Sequence, residues 1–213
     1  MWPMSRREPA IKRCVVFIDA QNLFHAAKDA FGYNWPNYDP QALAQSVCRQ
    51  HGWVLTRVFF YTGMPERSVD PQRHGFWANK LAVLGKKGVK VYSRHLKYTH
   101  ESMSPPGGQP VTRLLGREKG IDLRLALDAV KLARERQYEV ALIFSQDQDF
   151  SELVTEIRAI AEQQDRWIEV ASAFPWSPAS QNARGIRGTV SIRIDKAAYD
   201  ACIDPNDYRP KEK

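Results

Sequence analysis

The chain has 213 residues, 43% of them apolar and 11% aromatic, which suits one compact domain with a substantial core. Thirty-one Lys and Arg against 24 Asp and Glu leave a formal charge of +7, a balance that favours an acidic partner such as nucleic acid. Cys14, Cys48 and Cys202 lack zinc-finger or redox-motif spacing, and no run reaches the roughly 20 apolar residues of a membrane helix or the about 7–15 of a signal peptide, so a soluble protein of the reducing cytoplasm is expected.

Strand and helix signals alternate along the chain. Cys14–Ile18, CVVFI, is a β-branched and aromatic run that suits a strand covered on both faces, and NLFHAAKDAF reads as the helix after it. Asp39-Pro40 offers an N-cap with proline in the first turn of a second helix, which closes at Gly52. WVLTRVFFY is the next strand. Asp70-Pro71 repeats the start signal for a helix with Trp77, Leu81 and Leu84 at helical spacing, and VKVYSRHLKY is the third strand.

From Thr99 to Gly120 the chain carries Pro105, Pro106, Gly107, Gly108 and Pro110, the composition of a long mobile loop. A helix, IDLRLALDAVKLARERQ, follows; then YEVALIF as a strand, a helix from about Phe150 to Gln163, and WIEVASAF as a fifth strand. A SIRI strand and a short helix near Ala197 complete an irregular cover. Apolar strands separated by helices predict a mainly parallel sheet in an α/β/α sandwich, because parallel strands need crossover connections. Residues 1–12 are expected to be a flexible segment, 13–173 the domain, and 174–213 a C-terminal extension.

In such folds ligands sit beyond the carboxyl ends of the strands. The first strand ends in Asp19, with Asn22 three residues on, and the fourth is followed by Ser145, Asp147 and Asp149. On the helix from Ile121, a step of about 100° per residue gathers Ile121, Leu123, Leu125, Leu127, Ala129, Val130, Leu132 and Ala133 into a broad apolar arc, and Asp122 falls inside it. A carboxylate there is costly unless neutralised, and its place in the first turn aims it toward the strand ends. Asp128 instead lies beside Arg124 and Lys131 on the polar side. Convergent carboxylates with oxygen donors alone favour Mg²⁺ or Mn²⁺ over zinc, and can hold such an ion against a phosphate. Other readings stand beside this one: Asp147 or Asp149 as a helix cap, Asp149 with Glu152 as a near capping box, and Asn22 as a turn residue. Ser145 has no basic partner in its motif and reads as a hydrogen-bonding support.

FIDAQNLF at 17–24, KGIDLRLALD at 119–128 and LIFSQDQDFSELV at 142–154 together resemble the NYN-domain family, in its LabA-like branch of the PIN-like nucleases. The resemblance implies a PIN-like sandwich and a metal-dependent endoribonuclease, with Asp19, Asp122 and Asp147 as metal ligands, Asp149 as a further catalytic acid and Asn22 in support. Ala20 and Gln146 stand where the family usually has glycine, which would narrow the site or alter its turn. Arg117 and Lys119 are the preferred phosphate contacts, with Ser145 and Asn22 close to the substrate. Arg73, Lys80, Lys86, Lys87, Arg94, Lys97 and Arg113, interleaved with Phe76, Trp77, Tyr92 and Tyr98, are further candidates for gripping single-stranded RNA. Each also reads as ordinary core or solvated surface, and ARGIRG at 183–188 as a solubilising loop. A non-catalytic RNA-binding or protein-docking module is the alternative to the enzyme. A homo-oligomer is compatible with the sequence.

Overall fold

The computed structural model describes residues 7–103 and 111–210, without the side chains of 101–113. Six parallel strands form the central sheet: β1 (Arg13–Asp19), β2 (Val54–Met64), β3 (Lys90–His95), β6 (Val140–Phe144), β7 (Glu169–Pro175) and β8 (Val190–Ile194). Their order is β3-β2-β1-β6-β7-β8. The apolar runs become strands because both faces are covered: alternate residues of β1 point into two separate cores. Cys14, Val16 and Ile18 pack with α1 (Ala20–Phe31), α2 (Pro40–Gln50) and α3 (Pro71–Lys86), joined by Tyr199 of α6 (Lys196–Asp200). Val15 and Phe17 pack with α4 (Ile121–Arg134) and α5 (Ser151–Gln163). The result is the three-layer α/β/α sandwich expected from the alternation of elements.

Local signals account for the helix starts. The Asp39 carboxylate accepts from the amides of Gln41 and Ala42 at 2.8 and 3.2 Å, with Pro40 at the first position. The Asp70 side chain likewise accepts from the Arg73 amide at 2.9 Å ahead of α3. The three cysteines are buried free thiols.

Three expectations are corrected. The stretch from Thr99 to Gly120 is not simply a loop. β4 (Lys97–Met103) and β5 (Val111–Arg117) pair antiparallel, Lys97 opposite Arg117, so most of it is a hairpin standing off the main sheet. Its proline and glycine cluster, 105–110, lies outside the described residues, as does the Arg113 side chain. A concentration of breakers in the sequence between KYTHESM and VTRLLGR makes the whole segment read as loop, although both runs are adequate strands.

Lys80 is not a solvated grip. It is only 1% exposed, and its ammonium donates to the carbonyls of Pro36 and Tyr38 at 3.0 and 2.8 Å, facing Asp204 at 3.9 Å. The apolar arc of α4 is also narrower than the sequence suggests. Ile121, Leu125, Ala129, Leu132 and Ala133 are buried, but Leu123 and Leu127 remain 64% and 56% exposed, because a helix lying on a sheet covers one stripe only. Asp128 is placed as expected, 2.8 Å from Arg124, and in addition accepts the Tyr61 hydroxyl at 3.0 Å.

Candidate active site

β1 and β6 are neighbours at the centre of the sheet, and the chain leaves β1 toward β2 on one side while β6 and β7 continue on the other. This is the topological switch point, where an open α/β sheet leaves a crevice at its carboxyl edge. Asp19 is the last residue of β1 and only 4% exposed. One of its oxygens caps α1, accepting from the Asn22 amide at 3.1 Å, and the other accepts the Ser145 hydroxyl at 3.2 Å. The Ser145 oxygen in turn accepts from the Asp147 amide at 3.1 Å. Ser145 is 1% exposed, so it orients Asp19 and Asp147 rather than meeting a substrate. The Asn22 side-chain oxygen accepts from the Gln146 amide at 2.9 Å, which ties α1 to the turn after β6.

Asp147 is half-buried and caps a single 3-10 turn, Gln148–Phe150, accepting from the Asp149 amide at 3.0 Å. The capping reading of Asp147 therefore holds alongside any chemistry. The capping box of Asp149 with Glu152 does not form, since the N-cap of α5 is Phe150, which offers no side-chain hydrogen bond. Asp149 is exposed.

Asp122 differs from expectation. It shares the angular stripe of the buried residues, yet it is exposed, while its neighbour Ile121 is buried in the core. No hydrogen bond restrains its side chain among the described residues. A fifth acid was missed. Glu118, between Arg117 and Lys119, is half-buried and accepts from the Gly63 amide at the end of β2. Its flanking cations make it look like a surface residue, and only the return of β5 toward the sheet brings it to Asp19 and Asp122.

The carboxyls affect one another. Burial raises the Asp19 carboxyl to about 6, helped by the charges of Asp122 and Asp147 and opposed by the bonds from Asn22 and Ser145. Burial likewise brings Glu118 to about 7, with Asp19 and Asp122 adding to the rise. The Asp122 carboxyl is drawn up by lost hydration on its inner side and then by Asp147 and Asp149.

This donor set is all oxygen and gathers negative charge that a hard divalent cation would relieve, so its chemistry fits Mg²⁺ or Mn²⁺. Among the described residues, no three His, Cys, Asp or Glu side chains already stand at metal-holding spacing. The acids would have to draw together around an ion.

Arg117 and Lys119 are exposed on either side of Glu118. Arg94 lies over Tyr92, 5.5 Å from the ring centroid, and approaches Gly120 so closely that a Cβ there would stand 2.6 Å from its guanidinium. Gly120 has φ +73°, a backbone conformation that favours glycine ahead of Asp122. Ala20 and Gln146, by contrast, have ordinary negative φ values. Gln146 is 8% exposed, and its amide donates to the carbonyls of Asn182 and Arg184 at 3.2 and 3.0 Å. Gln148 does the same for Gly185 at 3.1 Å and accepts from the Arg187 amide at 3.1 Å. The two glutamines of SQDQD thus hook segment 182–187 beside the two aspartates. That segment is anchored and not merely solubilising.

The sequence profile of the NYN domain matches residues 13–183. Among solved structures, the protein of unknown function VPA0982 from Vibrio parahaemolyticus is similar at 17% identity, with a TM-score of 0.50 over 89% of this chain and 97% of that one. That likeness concerns the fold alone. No match was found among curated proteins.

Proposed function

This chain belongs to the NYN domain family, and we propose from that premise that it is a divalent-metal-dependent endoribonuclease of the LabA-like branch, acting on single-stranded RNA. The family makes a nuclease-like function and an RNA substrate the natural reading. The observation that supports the finer proposal is that Asp19, Asp122 and Asp147 feel one another's charge beyond the ends of β1 and β6, as do Glu118 and Asp149 beside them.

Asp19, Asp122 and Asp147 would hold Mg²⁺ or Mn²⁺, which supplies neutralisation of the phosphate charge and a more acidic water. Ser145 fixes the orientation of Asp19, and Asn22 fixes the turn that carries Asp147. Asp149, exposed two residues on, would take the proton of the attacking water. Arg117 and Lys119 would steady the flanking phosphates. Attack by water breaks the bond from phosphorus to the 3′-oxygen, which takes a proton, leaving a 5′-phosphate and a 3′-hydroxyl.

A second reading, a non-catalytic RNA-binding module, is favoured by one observation: the acids are not already at metal-holding spacing among the described residues. End-labelled single-stranded RNA, incubated with Mg²⁺ or Mn²⁺, with a chelator, and with Asp147→Asn, separates the two. Cleavage that needs both the metal and Asp147 is expected. RNA bound but left intact by both proteins would establish the binding module instead.

A further inference from the structure

A cleft of about 870 Å³ opens beside the acids, bordered by Ala20, the residue after Asp19, and by Glu118. That volume is in the range that encloses a drug-sized ligand. Four large rings line the rest of it: Phe24 of α1, Trp35 ahead of α2, and Phe76 and Trp77 of α3. Arg73 and Arg209 are its cations. We propose that this cleft binds bases of a single-stranded RNA segment adjoining the scissile phosphate, by stacking on its rings, with the C-terminal tail as one fixed wall. The inference rests on RNA being the substrate.

Several features favour a base-stacking role. Every base has a π-face, and aromatic platforms with flanking arginines hold unpaired nucleotides without needing a particular sequence. Trp35 is 45% exposed, an unusual position for so large an apolar ring. Its face already accepts a planar cation, since the Arg209 guanidinium lies 5.7 Å from the ring centroid. Ala20, which follows Asp19 in the chain, and Glu118, whose carboxyl feels the charge of Asp19, both border the cleft, so it lies next to the acids.

The tail is fixed by packing. Pro210 sits against Gly75, where a Cβ would come within 2.4 Å of the proline ring, and the Tyr208 carbonyl accepts from Asn79 at 3.0 Å. Tyr208 also meets Phe76 edge-on at 6.0 Å and donates to the buried Asp204 at 2.7 Å. Residues 207–210 lie beyond the matched region 13–183, so this wall belongs to the chain and not to the family profile.

The test is the affinity of labelled single-stranded RNA, and of an abasic oligonucleotide with the same backbone, measured in chelator so that no cleavage occurs. Wild-type protein should bind the base-bearing strand about tenfold more tightly than the abasic one. Trp35→Ala should remove most of that contrast, while Arg73→Ala should weaken both ligands alike. Both residues are surface side chains whose loss should leave the fold intact, which circular dichroism checks. Equal affinity for the two strands, unchanged contrast in Trp35→Ala, or no RNA binding at all would overturn the inference. If the contrast appears but Mg²⁺ or Mn²⁺ brings no cleavage, the nuclease reading fails and the cleft stands.

Discussion

Two aspartates at the site differ in what else they do. Asp19 caps α1 and holds Ser145, whereas Asp122 makes no hydrogen bond among the described residues. Asp19→Ala should therefore cost about 1 kcal/mol of stability from the lost cap, along with activity. Asp122→Asn should leave stability within about 0.5 kcal/mol while lowering RNA cleavage a hundredfold or more. Urea unfolding beside a cleavage time course checks both, and an Asp122→Asn protein that cleaves normally would remove Asp122 from the metal site. Gln146 offers a third test. Gln146→Gly deletes two hydrogen bonds to segment 182–184, so it should destabilise the protein by about 1–2 kcal/mol and expose that segment to limited proteolysis. The side chain that replaces the family's usual glycine thus serves as a bracket.

Among elements, the hairpin of β4 and β5 adds Glu118 to the acids at the ends of β1 and β6, because its return strand leads into that residue. Gly63 at the end of β2 is the matching surface. A Cβ at that position would lie 2.5 Å from Glu118 Cγ and equally near Leu96 Cδ2. Gly63→Ala should accordingly cost about 1–3 kcal/mol and displace Glu118, giving a lower melting temperature and slower metal-dependent cleavage. Little of this was legible beforehand. The inner sheet strands β1, β2, β6 and β7 announce themselves by apolar runs, but the hairpin strands are mostly polar and surround a proline and glycine cluster, so local pattern alone reads as loop. Glu118 was hidden for a related reason, since an acid between Arg117 and Lys119 looks solvated until the register Lys97 opposite Arg117 folds it inward.

For the whole molecule, Lys80 links α3 to the segment before α2 and to the C-terminal tail through Pro36, Tyr38 and Asp204. Burial lowers its ammonium to about 8, with Asp204 and Asp39 opposing the fall. A lysine that loses its proton earlier in the folded than in the unfolded chain makes the unfolded state the better proton binder between those two points. Stability should rise with pH there. Relative to Lys80→Met, wild type should gain about 3 kcal/mol between pH 8 and roughly 10.5 in urea unfolding, and a flat difference would mean that the ammonium stays hydrated. Among the described residues no helix is long and apolar enough to cross a membrane.

The sequence by itself determined the sandwich and the positions of Asp19 and Asp147 where its strands end. Strands buried on both faces must be apolar throughout, and a chain that needs charge near them can put it only where they end. Asp19 and Asp147 are therefore visible as the first polar acids after VVFI and VALIF. Tertiary structure decided which partners meet them. Glu118 reaching Asp19, Gln146 and Gln148 holding segment 182–187, Lys80 turned inward, and the tail walling an aromatic cleft all depend on contacts between segments far apart in the chain. Their side chains are amphipathic or charged types that suit water equally well. Periodicity records burial of apolar groups, whereas a buried polar group is permitted by the partners it finds, and those come together only in the fold.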